Sequence, residues 1–210
     1  MRVELEPLTL WSRFQEIFKS TAEDCDPQVL VTAWKSKTNR TKFVKTFLNQ
    51  VASALGLTLE RELWKVDFAL SVVSKTESKV PLIFVEAEND IRDVSREGGE
   101  VRKLCCHSAP LKVLITVGKW DETSSVWKGR SARSLCLGKW QGIVRDHAAV
   151  WPHRGLFGVI VGEWFDLSAA TGRLRFYANA IQPDGSLLSP EEDNILFERQ
   201  PVPYDLSKSL

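Results

Sequence analysis

The sequence predicts a single α/β domain. Three observations carry this expectation. Apolar residues recur at helical spacing in the first quarter of the chain. Strand formers then crowd the segment after residue 57. A further helix-spaced segment leads into LKVLITV, a compact apolar run of strand length. The resulting order is about α-β-β-β-α-β, with additions at both ends.

Residues 7–19 place Leu8, Trp11, Phe14, Ile17 and Phe18 on one helical stripe. Asp26 and Pro27 supply a cap and a first turn for a second helix over 27–35. A third helix is expected over 41–55, with Thr41 as N-cap, Phe43, Val44, Phe47, Leu48, Val51 and Leu55 as its apolar face, and Gly56 as its stop. Residues 57–73 alternate around Asp67, so Val66, Phe68 and Leu70 should share one face and Lys65, Asp67 and Ala69 the other. Residues 75–79 form a polar turn and 80–88 the next strand. Val101, Leu104, Cys105 and Ser108 give a helix over 93–108, and 111–117 is a buried strand. Residues 122–149 are helical in character, interrupted by Gly129, Gly138 and Gly142. FGVIVGEWF and RLRFYANA follow as two late strands, and the tail after Pro183 reads as irregular.

Composition restricts the function classes. The 210 residues carry 28 Lys and Arg against 27 Asp and Glu, so a net charge of +1 gives no global attraction for polyanions. Local patches must supply any such attraction. No stretch approaches the ~18 apolar residues of a membrane span, and MRVELEPLTL carries acids where a signal peptide would be apolar. Cys25, Cys105, Cys106 and Cys136 form no CxxC pair, which predicts reduced thiols in a cytoplasmic protein.

The chemistry concentrates in PLIFVEAEND, residues 81–90. Glu86 and Glu88 lie two apart at the end of an apolar strand and therefore point to the same side. Two like charges there repel and lose solvent. If the strand carrying Asp67 is a neighbour, three carboxylates converge at one sheet edge. Mg²⁺ takes oxygen ligands of this type, together with water and substrate phosphate. The same spacing also fits two solvated glutamates at a strand terminus. Glu60 and Glu62 are further candidate ligands, ranked below Asp67.

In order, Asp67, Glu86-Ala87-Glu88 after an apolar strand, a helix bearing Lys103, and LKVLITV resemble the PD-(D/E)XK nuclease superfamily. The resemblance covers about residues 41–117. It implies a restriction endonuclease-like core, with helical and strand additions at 1–40 and 118–182 and an irregular tail at 183–210. It further implies Mg²⁺, with Mn²⁺ as substitute, held by Asp67, Glu86 and Glu88. Phosphodiester hydrolysis, of DNA before RNA, would then use these acids and Lys103 as catalytic residues. Glu88 stands where the family usually has lysine, and some branches draw that lysine from the following helix, where Lys103 lies. The competing expectation is a catalytically inactive nucleic-acid-binding or protein-assembly module that retains the fold. A homodimer is compatible with either.

Charge distribution bears on the partner. Residues 34–47 hold Lys35, Lys37, Arg40, Lys42 and Lys45 without an acid, and 101–154 hold ten bases against three acids. Trp120, Trp127, Trp140, Trp151 and Trp164 fall in the second half, several beside a base. Cations suit phosphates and indoles can stack on unpaired bases, so Lys35, Lys42, Lys128 and Arg130 are candidate nucleic-acid contacts. Most charges of this kind are nonetheless a solvated face, and most tryptophans are core. Glu100, Lys103 and His107 share a stripe of the predicted helix. Lys103 could orient water or stabilise phosphate charge with Glu100 tuning it, whereas His107 reads as packed or solvated. Cys105-Cys106-His107 cannot chelate one ion, because adjacent helical residues diverge by ~100°. No GxGxxG, GxxxxGK[ST] or GxSxG occurs, which leaves dinucleotide, P-loop and hydrolase-elbow chemistry without signatures.

Overall fold

A computed structural model of the chain describes residues 6–91, 94, 99–119, 132–151, 155–168, 171–189 and 194–203. Among these, seven strands form one mixed sheet flanked on both faces by helices. The strands β1 (Thr58–Leu63), β2 (Val66–Val73), β3 (Lys79–Ala87), β4 (Leu111–Lys119), β5 (Leu156–Ser168), β6 (Thr171–Ile181) and β7 (Ile195–Pro203) lie side by side in chain order. The pairs β1–β2 and β2–β3 are antiparallel, β3–β4 and β4–β5 parallel, and β5–β6 and β6–β7 antiparallel. The parallel steps are those bridged by helices, as a parallel crossover requires.

Helices α1 (Pro7–Asp24), α2 (Pro27–Lys35) and α3 (Lys37–Leu55) cover one face. The predicted stripes of α1 and α3, apart from the exposed Leu8, join Trp34 of α2 in its core: Phe14, Phe18, Trp34, Phe43 and Phe47 interlock edge to face. Asp26 caps α2 as expected, accepting from the N–H groups of Gln28 and Val29. The cap of α3 is Ser36 rather than Thr41, whose hydroxyl instead donates to the Lys37 carbonyl inside the helix. Gly56 ends α3 with φ of 65°, the left-handed conformation that glycine adopts without steric cost.

Helices α4 (Glu100–Cys105) and α5 (Ala132–Val150) cover the other face. Cys105 is buried and Cys106 exposed, as the helical geometry predicts. The predicted helix over 93–108 is shorter among the described residues, and α5 runs through Gly138 and Gly142 without a break. Residues 57–73 divide into a hairpin. Phe68 and Leu70 face α1–α3 and Ala69 faces α4 and α5, but Val66 joins the second core, departing from the expected alternation. The left-handed residues Trp64 and Lys65 immediately before it redirect the start of the strand. The tail, predicted irregular, supplies β7. Among the described residues, no helix is long and apolar enough to cross a membrane.

Two glycines of β5 set how closely the helices approach. A Cβ on Gly158 would stand 2.4 Å from the Trp11 ring, and one on Gly162 would stand 1.8 Å from the Trp34 indole nitrogen. Both indoles are held by packed aromatic neighbours and cannot retreat cheaply. Gly162→Ala should therefore destabilise the protein by about 2 kcal/mol, read as a lower urea midpoint with unchanged slope.

Candidate functional site

The β2–β3 register brings the sequence-predicted acids together. Phe68 pairs with Val85, which places Asp67 opposite Glu86 one step further along. The Ala87 N–H donates to Asp67 Oδ2 at 2.9 Å and fixes that carboxylate against β3. Glu86 points to the α4 face and is only 1% exposed. Lys103, on α4, places its Nζ 2.7 Å from Glu86 Oε1. These groups open into a cavity of about 220 Å³ lined also by Lys37, Thr41, Arg61, Glu62, Glu88 and Glu100.

The electrostatics follow from this crowding. Burial raises the Glu86 carboxyl to about 8. The hydrogen bond and charge of Lys103 pull it down, while the charge of Asp67 and a carboxyl–carboxylate hydrogen bond push it up. Burial also raises Glu100, with the charges of Glu88 and Asp67 adding to the effect and Lys103 opposing it. The cavity thus gathers five acids, Glu62, Asp67, Glu86, Glu88 and Glu100, with the cations Lys37, Arg61 and Lys103 also in its lining.

Glu88 does not behave as expected. It follows β3, its N–H donating to the Ile115 carbonyl at 2.9 Å. Its Oε1 turns back to accept from the N–H groups of Asn89 and Asp90. The nearby charge is Arg40, a buried α3 residue that donates to Asn89 Oδ1 and to the Trp34 carbonyl. Burial lowers the Arg40 guanidinium to about 10, and Glu88 counters the shift. Among the described residues, no group of three or more His, Cys, Asp or Glu side chains is placed to hold a metal ion. Asp67, Glu86 and Glu88, the expected ligand set, nonetheless all line the same cavity. Asp67 and the opposed Glu86 supply two oxygen donors, the one or two protein carboxylates that a hydrated oxygen-seeking cation takes.

The remaining candidates scatter. Glu62 lines the cavity, whereas Glu60 lies elsewhere, accepting from Ser71 Oγ and pairing with Lys79 at 3.0 Å. His107 packs against Phe84 and Trp64, and burial followed by the charges of Lys103 and Lys112 holds it below the usual histidine range. Lys42 is exposed on α3. Lys35 ends α2, its side chain lying outside the description, and Lys128 and Arg130 lie outside the described residues. Trp140 and Trp164 are core, Trp151 is exposed, and Trp120 and Trp127 lie outside the described residues. Sequence reasoning missed Lys37 and Arg61 as residues of the site and Arg40 as the charge near Glu88. The acid-free run at 34–47 was a signal for two of them. Arg61 carried none, because only the β1–β2 pairing brings it there. No protein-family model matches the chain, and no curated protein matches it.

Proposed function

We propose that this chain is a divalent-metal-dependent nuclease, hydrolysing phosphodiester bonds of DNA before RNA, on a restriction endonuclease-like core. The observation that supports it is the opposed Asp67–Glu86 pair on adjacent strands, with Lys103 at 2.7 Å from Glu86 in an open cavity. Asp67 and Glu86 would hold Mg²⁺ or Mn²⁺. When bound, such an ion acidifies a coordinated water and offsets phosphate charge. Lys103 would turn its ammonium from Glu86 toward a phosphate oxygen, a charge-assisted contact that strengthens as negative charge develops. Lys37 and Arg61, at the cavity wall, would receive the flanking phosphates. Glu88 would shape the loop through Asn89 and Asp90 rather than ligate.

A second reading is a non-catalytic nucleic-acid-binding or assembly module. Glu88 favours it, since that carboxylate is engaged with backbone N–H groups where the resembled family usually carries lysine. Incubation with supercoiled plasmid and with single-stranded oligonucleotide separates the two. The nuclease reading expects nicking or cleavage with Mg²⁺ or Mn²⁺ and none with chelator. Binding without cleavage across both metals and both substrates would leave the module.

A further inference from the structure

The β1–β2 hairpin closes with a two-residue turn, Leu63 pairing with Val66 around Trp64 and Lys65. Both turn residues have positive φ, 51° and 67°, and Glu62 just before them has 54°. Such turns favour Asn-Gly, because a bulky side chain in left-handed backbone clashes with the following carbonyl. Tryptophan is a poor choice for this position, yet here its side chain is not used to fill a core. Trp64 is 61% exposed. Its indole lies nearly parallel to the His107 ring, at 12° and 6.3 Å between centroids, and tilted against Phe84 at 5.9 Å. One face of the indole is therefore backed by protein. A strained residue that displays an aromatic surface calls for a functional explanation.

Its position supplies one. Phe84 precedes Glu86 by two residues on the same strand and face, about 7 Å along β3. His107 follows Lys103 by four residues, just past the end of α4. Arg61 and Glu62 of the same hairpin line the carboxylate cavity. The indole platform, packed on Phe84, thus lies about two strand residues from Glu86 on the α4 side of the sheet. We infer that Trp64 is a stacking platform for an unpaired nucleobase, so that the strand entering the site is single-stranded or locally unpaired. This inference rests on the nuclease reading and names its substrate class. A base inside an intact duplex is stacked on both sides and has no face to offer, whereas an unpaired base stacks on an indole regardless of its identity. His107, held below the usual histidine range by burial and two lysines, backs the platform with its ring.

The test measures equilibrium binding of a fluorescent single-stranded oligonucleotide and of a blunt duplex of the same sequence, with Ca²⁺ in place of Mg²⁺. Trp64→Asn suits the left-handed backbone and so preserves the hairpin. It should weaken single-strand binding roughly 5- to 100-fold and leave duplex binding within about twofold, while Trp64→Phe retains most of the affinity. An abasic single strand should bind the wild type and Trp64→Asn nearly alike. Equal weakening of duplex and single strand, or wild-type affinity of Trp64→Asn for the single strand, would overturn the inference while leaving the nuclease reading standing. Binding of neither nucleic acid by the wild type would overturn both.

Discussion

Glu86→Ala should abolish metal-dependent cleavage, with a rate loss of about 10⁴-fold, while the protein remains folded. Glu86 and Asp67 are the only pair of acids placed face to face on adjacent strands of the site among the described residues. Removing one leaves Asp67 without the opposed carboxylate that would complete the protein's share of an ion's ligands, with Lys103 still lining the cavity. Losing the ion removes the acidified water and the charge it offsets together, about 5 kcal/mol of transition-state stabilisation. Lys103→Ala should act more weakly, by roughly a hundredfold, because it withdraws one stabilising charge and leaves both carboxylates. A single-turnover cleavage assay with each variant, alongside its circular dichroism spectrum, reads both effects. Cleavage by Glu86→Ala at the wild-type rate would remove Glu86 from the mechanism.

The metal-free protein should be most stable at mildly acidic pH and should lose stability as pH rises through neutrality, and Glu86→Gln should cancel that loss. The Glu86 carboxyl stands at about 8 in the folded chain against an ordinary 4.5. Below about 4.5 both folded and unfolded chains keep the proton, and its contribution is fully present. Between about 4.5 and 8 the unfolded chain gives up the proton while the folded chain retains it, so stability falls with rising pH. Above about 8 the buried carboxylate is ionised beside Asp67 and the penalty levels off. Glutamine keeps the shape and the hydrogen bond to Asp67 without the charge. Its advantage should grow from near zero at pH 4.5 to on the order of 5 kcal/mol above pH 8, a melting temperature higher by roughly 10–20 °C. Lys112, which burial lowers to about 8, acts in the opposite direction at still higher pH, but it is common to both proteins and cancels in the difference. Parallel melting curves from pH 4.5 to 9 decide the matter.

Much of this arrangement is legible in the sequence where local physics decides. The stripe of α3, that of α1 apart from the exposed Leu8, the Asp26 cap and the Gly56 stop are set within one or two turns of chain and stand where periodicity and capping chemistry place them. Asp67 and Glu86 come together because side-chain alternation is a strict constraint once two strands pair. What escapes is settled by distant contacts or by atypical residues. The Trp64–Lys65 turn lacks the Asn or Gly that marks a tight hairpin, so β1 and β2 read as one segment. Ser36 caps α3 because the chain turns directly out of α2, which moves the helix start ahead of Thr41. β7 is stabilised by pairing with β6 across a long connection, against the local turn residues that make the tail read as irregular. Glu88 looks like a ligand by spacing alone. Its carboxylate instead satisfies the N–H groups of the turn that follows, close to an arginine brought in from α3.

The most direct test of the account is a Mn²⁺ soak of crystals of the wild-type protein, read by anomalous scattering. The account predicts one strong peak within ligand distance of carboxylate oxygens of both Asp67 and Glu86, the Lys103 ammonium displaced from Glu86, and no contact with Glu88. A peak held by Glu88 and Asp90 instead, or an Asp67–Glu86 pair unchanged with Lys103 still seated on Glu86 at saturating Mn²⁺, would contradict it.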